Sequence, residues 1–257
     1  MDFDVSVIIP AHHEGRLAHP TMCSVFRSVA YANKKGVSVE IVIVMDKPDV
    51  KTEEYFSRYK EPSVLIKTVN FGDLGFTRNF GVTVSSGKHI AFLDADDLFG
   101  QNWVYESFKY LENNGNDIIA HPEYDVTFEA KNVIFRQTSS CSPDFKAEKL
   151  IEYNFWSALC TSKKEMLLRY PYDATTFSHG FGFEDWHFNC ETLAAGIEHR
   201  IVPGTVIFRR KKKIDSLLET SDRLNRIVRP TSLFEPLKFK SVMLDTASKR
   251  SNGLNDQ

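Results

Sequence analysis

The sequence predicts an α/β protein with a Rossmann-like, mainly parallel central sheet flanked by helices. Three observations predict it. Short β-branched runs alternate with helically spaced segments over the first hundred residues. Two of those runs end abruptly in carboxylates, at Asp46 and at Asp94, Asp96 and Asp97. A chain of 257 residues, 42% hydrophobic and 26% charged, is also long enough to bury the core such a sheet needs.

The elements follow in order. Residues 5–10 (VSVIIP) form a β-branched run closed by Pro10, which reads as a buried strand. Met22, Val25, Phe26, Val29 and Ala30 have helical spacing, with Pro20 suited to a helix start. Residues 40–45 (EIVIVM) are a second strand, ended by Asp46-Lys47-Pro48-Asp49. A helix over 52–59 and a strand over 64–69 follow. Gly72 and Gly75 punctuate a loop before a helix over 76–84, and 90–93 is the fourth strand.

Beyond Gln101 the pattern gives a helix and a short strand up to Ala120, then strands at 126–128 and 132–136. Residues 145–153 and 163–169 are helical candidates. The 180–182 turn opens into a helix over 184–195, and 202–209 reads as a final strand. Residues 248–257 are polar and expected to fray.

Charge is unevenly spread. Residues 200–257 hold 13 Lys and Arg against 6 Asp and Glu, a balance of +7 within a chain whose net charge is −2. A basic C-terminal extension of this kind suits an anionic partner: phosphate, an anionic membrane surface or nucleic acid. The overall acidity and the lack of a recognition module argue against nucleic acid. The four cysteines form no C-x-x-C pair and read as free thiols. No apolar run approaches the roughly 20 residues of a membrane span. The start lacks the basic and apolar regions of a signal peptide. The expectation is a cytoplasmic protein.

The most informative stretch is 88–99 (KHIAFLDADDLF). An apolar strand ends in three carboxylates within four positions, which repel one another and need a cation or donors. Asp-x-Asp supplies hard oxygen ligands for a divalent ion on a nucleotide's phosphates. Ligands of doubly wound sheets bind beyond the strands' carboxyl ends, so Asp46 and Asp94 are expected to converge. Glu184-Asp185 alone is ambiguous, because an acidic pair opening a helix is favoured by the macrodipole.

Five blocks, in this order, resemble the family 2 glycosyltransferases of the GT-A fold: VSVIIPAHHEG, EIVIVMDKPD, GFTRNFGVTVSSGKHIAFLDADD, GFEDWHFNCETLAAG and FRRKKKIDS. The third is the most specific, with Arg78, Asn79, Gly81, Gly87 and Asp94 to Asp97 in register. The resemblance implies a nucleotide-sugar donor whose base and ribose contact Pro10, Ala11, His12 and Glu14. It implies that Asp46 accepts a hydrogen bond from the base. Arg78 would lie near the nucleotide, Asp94 and Ala95 near the ribose, and Asp96 on the metal. Asp185 would be the catalytic base of an inverting, single-displacement transfer. Glu184, Trp186, Arg209, Arg210 and Lys211 would meet the acceptor or the diphosphate. The implied cofactor is a divalent metal, Mn2+ or Mg2+.

Departures from the pattern matter too. His12 stands where an aromatic often stacks on the base. Lys211 stands where a His often completes the metal shell, and a charged Lys cannot ligate. Either the metal keeps more water, or Lys211 and its neighbours act directly on the diphosphate. Without Q-x-x-R-W or a membrane span, a non-processive enzyme in surface polysaccharide biosynthesis is expected. Its acceptor would be a glycan or lipid-linked glycan, and its basic tail could rest on the inner membrane surface. The expected division is one catalytic domain over 1–230, with a nucleotide-binding half at 1–100 and an acceptor half at 101–230, then a partly helical extension over 231–257. Two alternatives are a nucleotide-sugar-binding module without turnover and a nucleotidyltransferase on a related fold, which would release pyrophosphate.

Overall fold

The computed structural model describes residues 3–115, 117–212 and 217–253, and its described strands form a nine-stranded mixed sheet with a small two-stranded one. The first half follows the expected pattern. Strands β1 (Phe3–Ala11), β2 (Val39–Asp46), β3 (Val64–Val69) and β4 (Gly87–Phe92) pair in parallel in the order β3-β2-β1-β4. Helices α1 (His19–Asn33), α2 (Val50–Phe56) and α3 (Leu74–Val84) connect them. The strands read as near-continuous apolar runs because both faces of the sheet are covered. One core layer joins β1 and β2 to α1 and Trp103; the other packs Ile8, Val42 and Val44 on Val82, Phe92 and Tyr172.

Past β4 the sheet changes direction. The two-residue β5 (Leu98–Phe99) precedes α4 (Trp103–Asn114), and β6 (Ile118–Glu129) runs for 12 residues through Pro122. Strand β7 (Val133–Arg136) pairs antiparallel with β6, and β8 (Thr161–Lys163) is antiparallel to both β4 and β6. Helix α5 (Lys164–Arg169) follows; residues 145–153 hold only a 3-10 turn, Ala147–Ile151. Then come β9 (Phe181–Gly182), α6 (Glu184–Ala194) and β10 (Glu198–Lys211), which is longer than its apolar stretch suggests. Strand β10 lies parallel to β6, with a register shift between Val202 and Val206 beside Pro203. It also pairs antiparallel with β5.

The C-terminal part comprises α7 (Leu217–Arg223), β11 (Ile227–Val228) and α8 (Pro236–Gly253). Strand β11 pairs with β9. Leu233 and Val242 are buried in a third cluster with Phe145, Leu150, Trp156, Cys190 and Leu193. Ser232 donates through its backbone N–H and its hydroxyl to Glu191, at 2.6 and 2.7 Å. Leu233, Phe234, Phe239, Val242 and Met243 therefore join a core shared with the preceding chain. Residues 248–253 continue α8, whereas 254–257 and the 213–216 part of the last sequence block lie outside the described residues. No helix among the described residues is long and apolar enough to cross a membrane.

Candidate active site

Strand order 3-2-1-4 makes the gap between β1 and β4 a topological switch point, where ligands of open α/β sheets bind. Pro10 and the buried Ala11 end β1, and Asp94 follows β4. A cleft of about 320 Å³ opens there, lined by Pro10, His12, Glu14, Leu74, Arg78, the 94–97 run, Ser157 to Leu159, Phe183 to Asp185, the 209–212 run and Ser221.

The acidic run is fixed by its neighbours. Asp97 N–H donates to the Asp94 carbonyl at 3.0 Å, and Thr21 Oγ1 on α1 donates to the Ala95 carbonyl at 3.0 Å. Strand β5 starts immediately after Asp97 and pairs Leu98 with Phe208. That pairing places the basic end of β10 across from the carboxylates. Arg210 N–H donates to Asp97 Oδ1 at 2.6 Å and its Nε to the Asp96 carbonyl at 3.0 Å. Lys212 Nζ lies 2.5 Å from Asp96 Oδ2, and Arg209 Nε donates to Asp125 Oδ2 at 2.7 Å. Three of the described cations of this run are thus ion-paired, Arg209 with Asp125, Arg210 with Glu129 and Lys212 with Asp96.

Arg78 is the other organising charge. It is 1% exposed, and donates to Asp94 Oδ1 and Glu184 Oε1, both at 2.8 Å. Burial works against its charge, yet Asp94 and Glu184 outweigh that and hold its pKa well above the ordinary value. One guanidinium therefore joins the strand-end carboxylates to the start of α6. Phe183, just before α6, has a left-handed backbone (φ 59°, ψ 55°), a costly conformation for an aromatic residue. Asp185 Oδ1 accepts from Trp186 N–H at 2.8 Å, and Oδ2 accepts from Asn154 Nδ2 at 3.3 Å. Asn154 is itself held by Asn189 at 2.9 Å.

Burial raises the pKa of Asp185 and of Glu184 against the opposing pull of Arg78. Burial also raises Glu14, and raises Asp97 strongly with help from Asp96 and Asp94. Six carboxylates face five cations around the cleft, and burial makes Glu14, Asp97, Glu184 and Asp185 hold protons more readily than usual.

The cleft gathers Pro10, His12, Glu14, Arg78, Asp94, Ala95, Asp96, Glu184, Asp185, Arg209, Arg210 and Lys211. It leaves out three expected residues. Ala11 is buried in β1 and faces the core. The Asp46 carboxylate sits behind the cleft, accepting from the backbone N–H groups of Phe71, Gly72 and Asp73 and from Thr77 Oγ1 at 2.8–3.1 Å. Three backbone donors thus bind the Asp46 carboxylate to the loop before α3, while the single Thr77 hydroxyl proton is shared with the Asp73 carbonyl at 2.8 Å. Its backbone carbonyl accepts from His12 Nδ1. Trp186 turns away, donating through Nε1 to the Leu150 carbonyl at 2.9 Å.

Trp186 instead lines a second cavity of about 580 Å³, with Phe135, Gln137, Tyr153, Asn154, Phe155 and Trp156 among its neighbours. Ser157, Phe183, Asp185 and Arg209 line both cavities. Lys212, Phe183 and Ser157 were not singled out from sequence. Lys212 lies within the basic run and Phe183 within the GFEDW block; nothing in the pattern marks Ser157.

The sequence model of Glycosyl transferase family 2 matches residues 6–183. The chain belongs to this family. It is 29% identical over 133 residues to a poly(ribitol-phosphate) β-N-acetylglucosaminyltransferase, TarP, of Staphylococcus aureus, covering 50% of this chain and 39% of that protein. It is 35% identical over 86 residues to an uncharacterized glycosyltransferase of Methanocaldococcus jannaschii, covering 32% and 30%. The family member thus spans well under half the length of these relatives. Its fold is similar to that of S. aureus TarS 1-349 in complex with UDP-GlcNAc, with a TM-score of 0.64 at 16% identity over 96% of this chain and 66% of that one. The GT-A expectation is met in the α/β layers.

Proposed function

We propose that this chain moves one sugar from a nucleotide-sugar donor to an acceptor hydroxyl with inversion at the anomeric carbon. The observation that carries the reading is the position of Asp185: its carboxylate lines the cleft at the switch point and also the second cavity. A base that removes an acceptor proton during displacement must touch both substrates' compartments.

The nucleotide would lie at the ends of β1 and β4, against Pro10, His12 and Glu14, with Asp94 toward the ribose. Arg210 and Lys212 face the carboxylates from β10, where they suit a diphosphate leaving group. The acceptor would enter the second cavity, on the side built by residues 101–230. Asn154 and the Trp186 N–H hold Asp185 in one orientation. Its raised pKa makes it a stronger base than an ordinary aspartate. UDP in the TarS complexes supports uracil as the base, and the wall-polymer enzymes among the relatives support surface polysaccharide assembly as the setting.

A divalent cation fits the donor set. Arg78 takes one oxygen of Asp94 and Lys212 one of Asp96, leaving one hard oxygen on each. Those two oxygens would suit Mg2+ or Mn2+ held by one or two carboxylates and substrate phosphates. Such an ion would neutralise the leaving diphosphate.

A thermal-shift panel of UDP-, GDP-, dTDP- and CMP-linked sugars, with and without manganese, tests the donor assignment. One nucleotide series should raise Tm, and manganese should increase that rise. Asp185→Asn should retain the shift while losing transfer by a factor of about 10²–10⁴, the usual worth of a positioned base. Unimpaired transfer by that variant would remove Asp185 from the mechanism.

A further inference from the structure

Lys212 meets the acidic run from beyond the end of the sheet. It is the first residue past β10, and its ammonium sits on a flexible four-carbon stem. Among the described residues its side chain has one ion-pair partner, Asp96 Oδ2 at 2.5 Å, and the two side chains are 24% and 18% exposed. Two neighbouring cations are tied more firmly. Arg78 is 1% exposed between two carboxylates, and Arg210 is held by the Asp96 carbonyl and by Glu129. Lys212 is thus the movable counter-ion of the Asp96 carboxylate.

That carboxylate lies in a crowded field. Burial, and then the charge of Asp96, raise the pKa of both Glu14 and Asp97. The Lys212 ammonium is drawn by the same three carboxylates, Asp96, Glu14 and Asp97, so it offsets their mutual repulsion. A nucleoside diphosphate entering the cleft brings phosphate oxygens, with which an ammonium also forms charge-assisted hydrogen bonds. A divalent ion instead needs carboxylate oxygens, and an ammonium has no lone pair to offer it. Asp96 Oδ1 stays open, but two cations on one carboxylate repel each other. The ammonium and the metal therefore compete for Asp96, whereas the ammonium and the diphosphate attract.

We propose that Lys212 is an exchangeable internal counter-ion: its ammonium holds Asp96 before a nucleotide arrives, then transfers to the diphosphate and releases Asp96 to a divalent cation. This rests on the donor reading above. Nucleotide and metal then bind cooperatively, each favouring the other by the same factor.

The test uses the full chain, with electron paramagnetic resonance to follow Mn2+ binding and calorimetry to follow UDP binding in EDTA. Without UDP, Lys212→Met should bind Mn2+ more tightly than the wild type by about tenfold or more, the size of one charge-assisted hydrogen bond. The same variant should bind UDP in EDTA more weakly by a similar factor. Lys212→Arg keeps the charge and should stay near the wild type in both. These opposite signs separate exchange from a structural role, which would move both affinities the same way or neither. Asp96→Asn in the Lys212→Met background should remove the gain in Mn2+ affinity. Thermal unfolding shows whether each variant is folded, and Lys212→Gln carries the same test if the Met variant is not. The inference is overturned if Lys212→Met binds Mn2+ no more tightly, if it binds UDP no more weakly, or if Asp96→Asn leaves the gain in place. Failure of the donor reading looks different: the wild type would then bind UDP neither with manganese nor without it.

Discussion

Arg78 must satisfy two carboxylates from distant parts of the chain, and the fork of its guanidinium does so with one nitrogen for each. Removing it would leave Glu184 buried beside Asp185 with no countercharge, and Asp94 beside Asp96 and Asp97. Breaking a buried ion pair from one side typically costs about 3–5 kcal/mol. Arg78→Met should therefore lower urea-unfolding stability by an amount of that order and weaken donor binding together. Arg78→Lys should recover part of the stability, since one ammonium reaches one carboxylate well but lacks the planar fork for both. Equal stability of the Met variant and the wild type would show that Asp94 and Glu184 find other partners. Lys212 illustrates the limit of motif register: counting along the strand points to Lys211, while the amine that meets Asp96 belongs to the next residue.

At the scale of elements, two glycines in the family pattern act through packing rather than chemistry. Gly81 on α3 faces β1, where a Cβ would lie 2.5 Å from Ile8 Cγ2. Gly87 opens β4 so close to β1 that a Cβ would lie 2.5 Å from the Ser6 backbone nitrogen and 2.7 Å from the Val5 carbonyl carbon. Gly87 N–H also donates to Ser6 Oγ at 2.8 Å. The obstruction is backbone within a paired sheet, so it cannot rotate away. Gly87→Ala should cost about 1–3 kcal/mol, as overpacking in a filled core does, read as a fall in Tm with the donor-induced shift retained. The first four strands were legible because each contains an apolar run, at 7–9, 41–45, 64–66 and 90–92. Strands β5, β8, β9 and β11 have two or three residues each, too few to show a period. Strand β6 runs unbroken through Pro122 from Ile118 to Glu129, where the pattern gives a short strand up to Ala120 and another at 126–128.

At the scale of the whole molecule, a histidine pair lies between the sheet and the third core cluster. His121 Nε2 and His199 Nδ1 are 2.9 Å apart, and His199 Nε2 is 3.0 Å from Thr192 Oγ1. Trp156 stacks on His199 at 4.0 Å. Burial takes His199 down to about 3 and, with the charge of its neighbour, lowers His121 well below its ordinary value. Both are neutral when folded, while the unfolded chain protonates them below about pH 6.5. Their contribution is therefore complete above that pH and is lost as the pH falls toward the folded values. The raised carboxylates of the cleft act in the opposite sense, so a difference measurement isolates the pair. Relative to the wild type, His199→Gln should gain about 1.4 kcal/mol for each pH unit below about 6.5. Urea unfolding of both proteins between about pH 8 and pH 5 measures it; a constant difference would place the charge change elsewhere.

The site was legible in sequence where residues follow strand ends or open a helix, as Asp94, Asp96 and Asp185 do. It was not legible where side chains from loops converge. Gln137, Ser157 and Asp125 belong to no motif, and they line one cavity only because β6, β7 and the 152–157 loop meet. Asp46 shows the reverse: a carboxylate at a strand end whose oxygens the following loop binds.

Leu233, Val242 and the two donors of Ser232 on Glu191 bear on where a shorter version of this protein can stop. Truncation at residue 230 would cut through an apolar cluster and leave Cys190, Leu193 and Trp156 without their cover, beside a carboxylate stripped of its donors. A fragment that carries the cleft is expected to stay folded only if it keeps α8 at least through Val242.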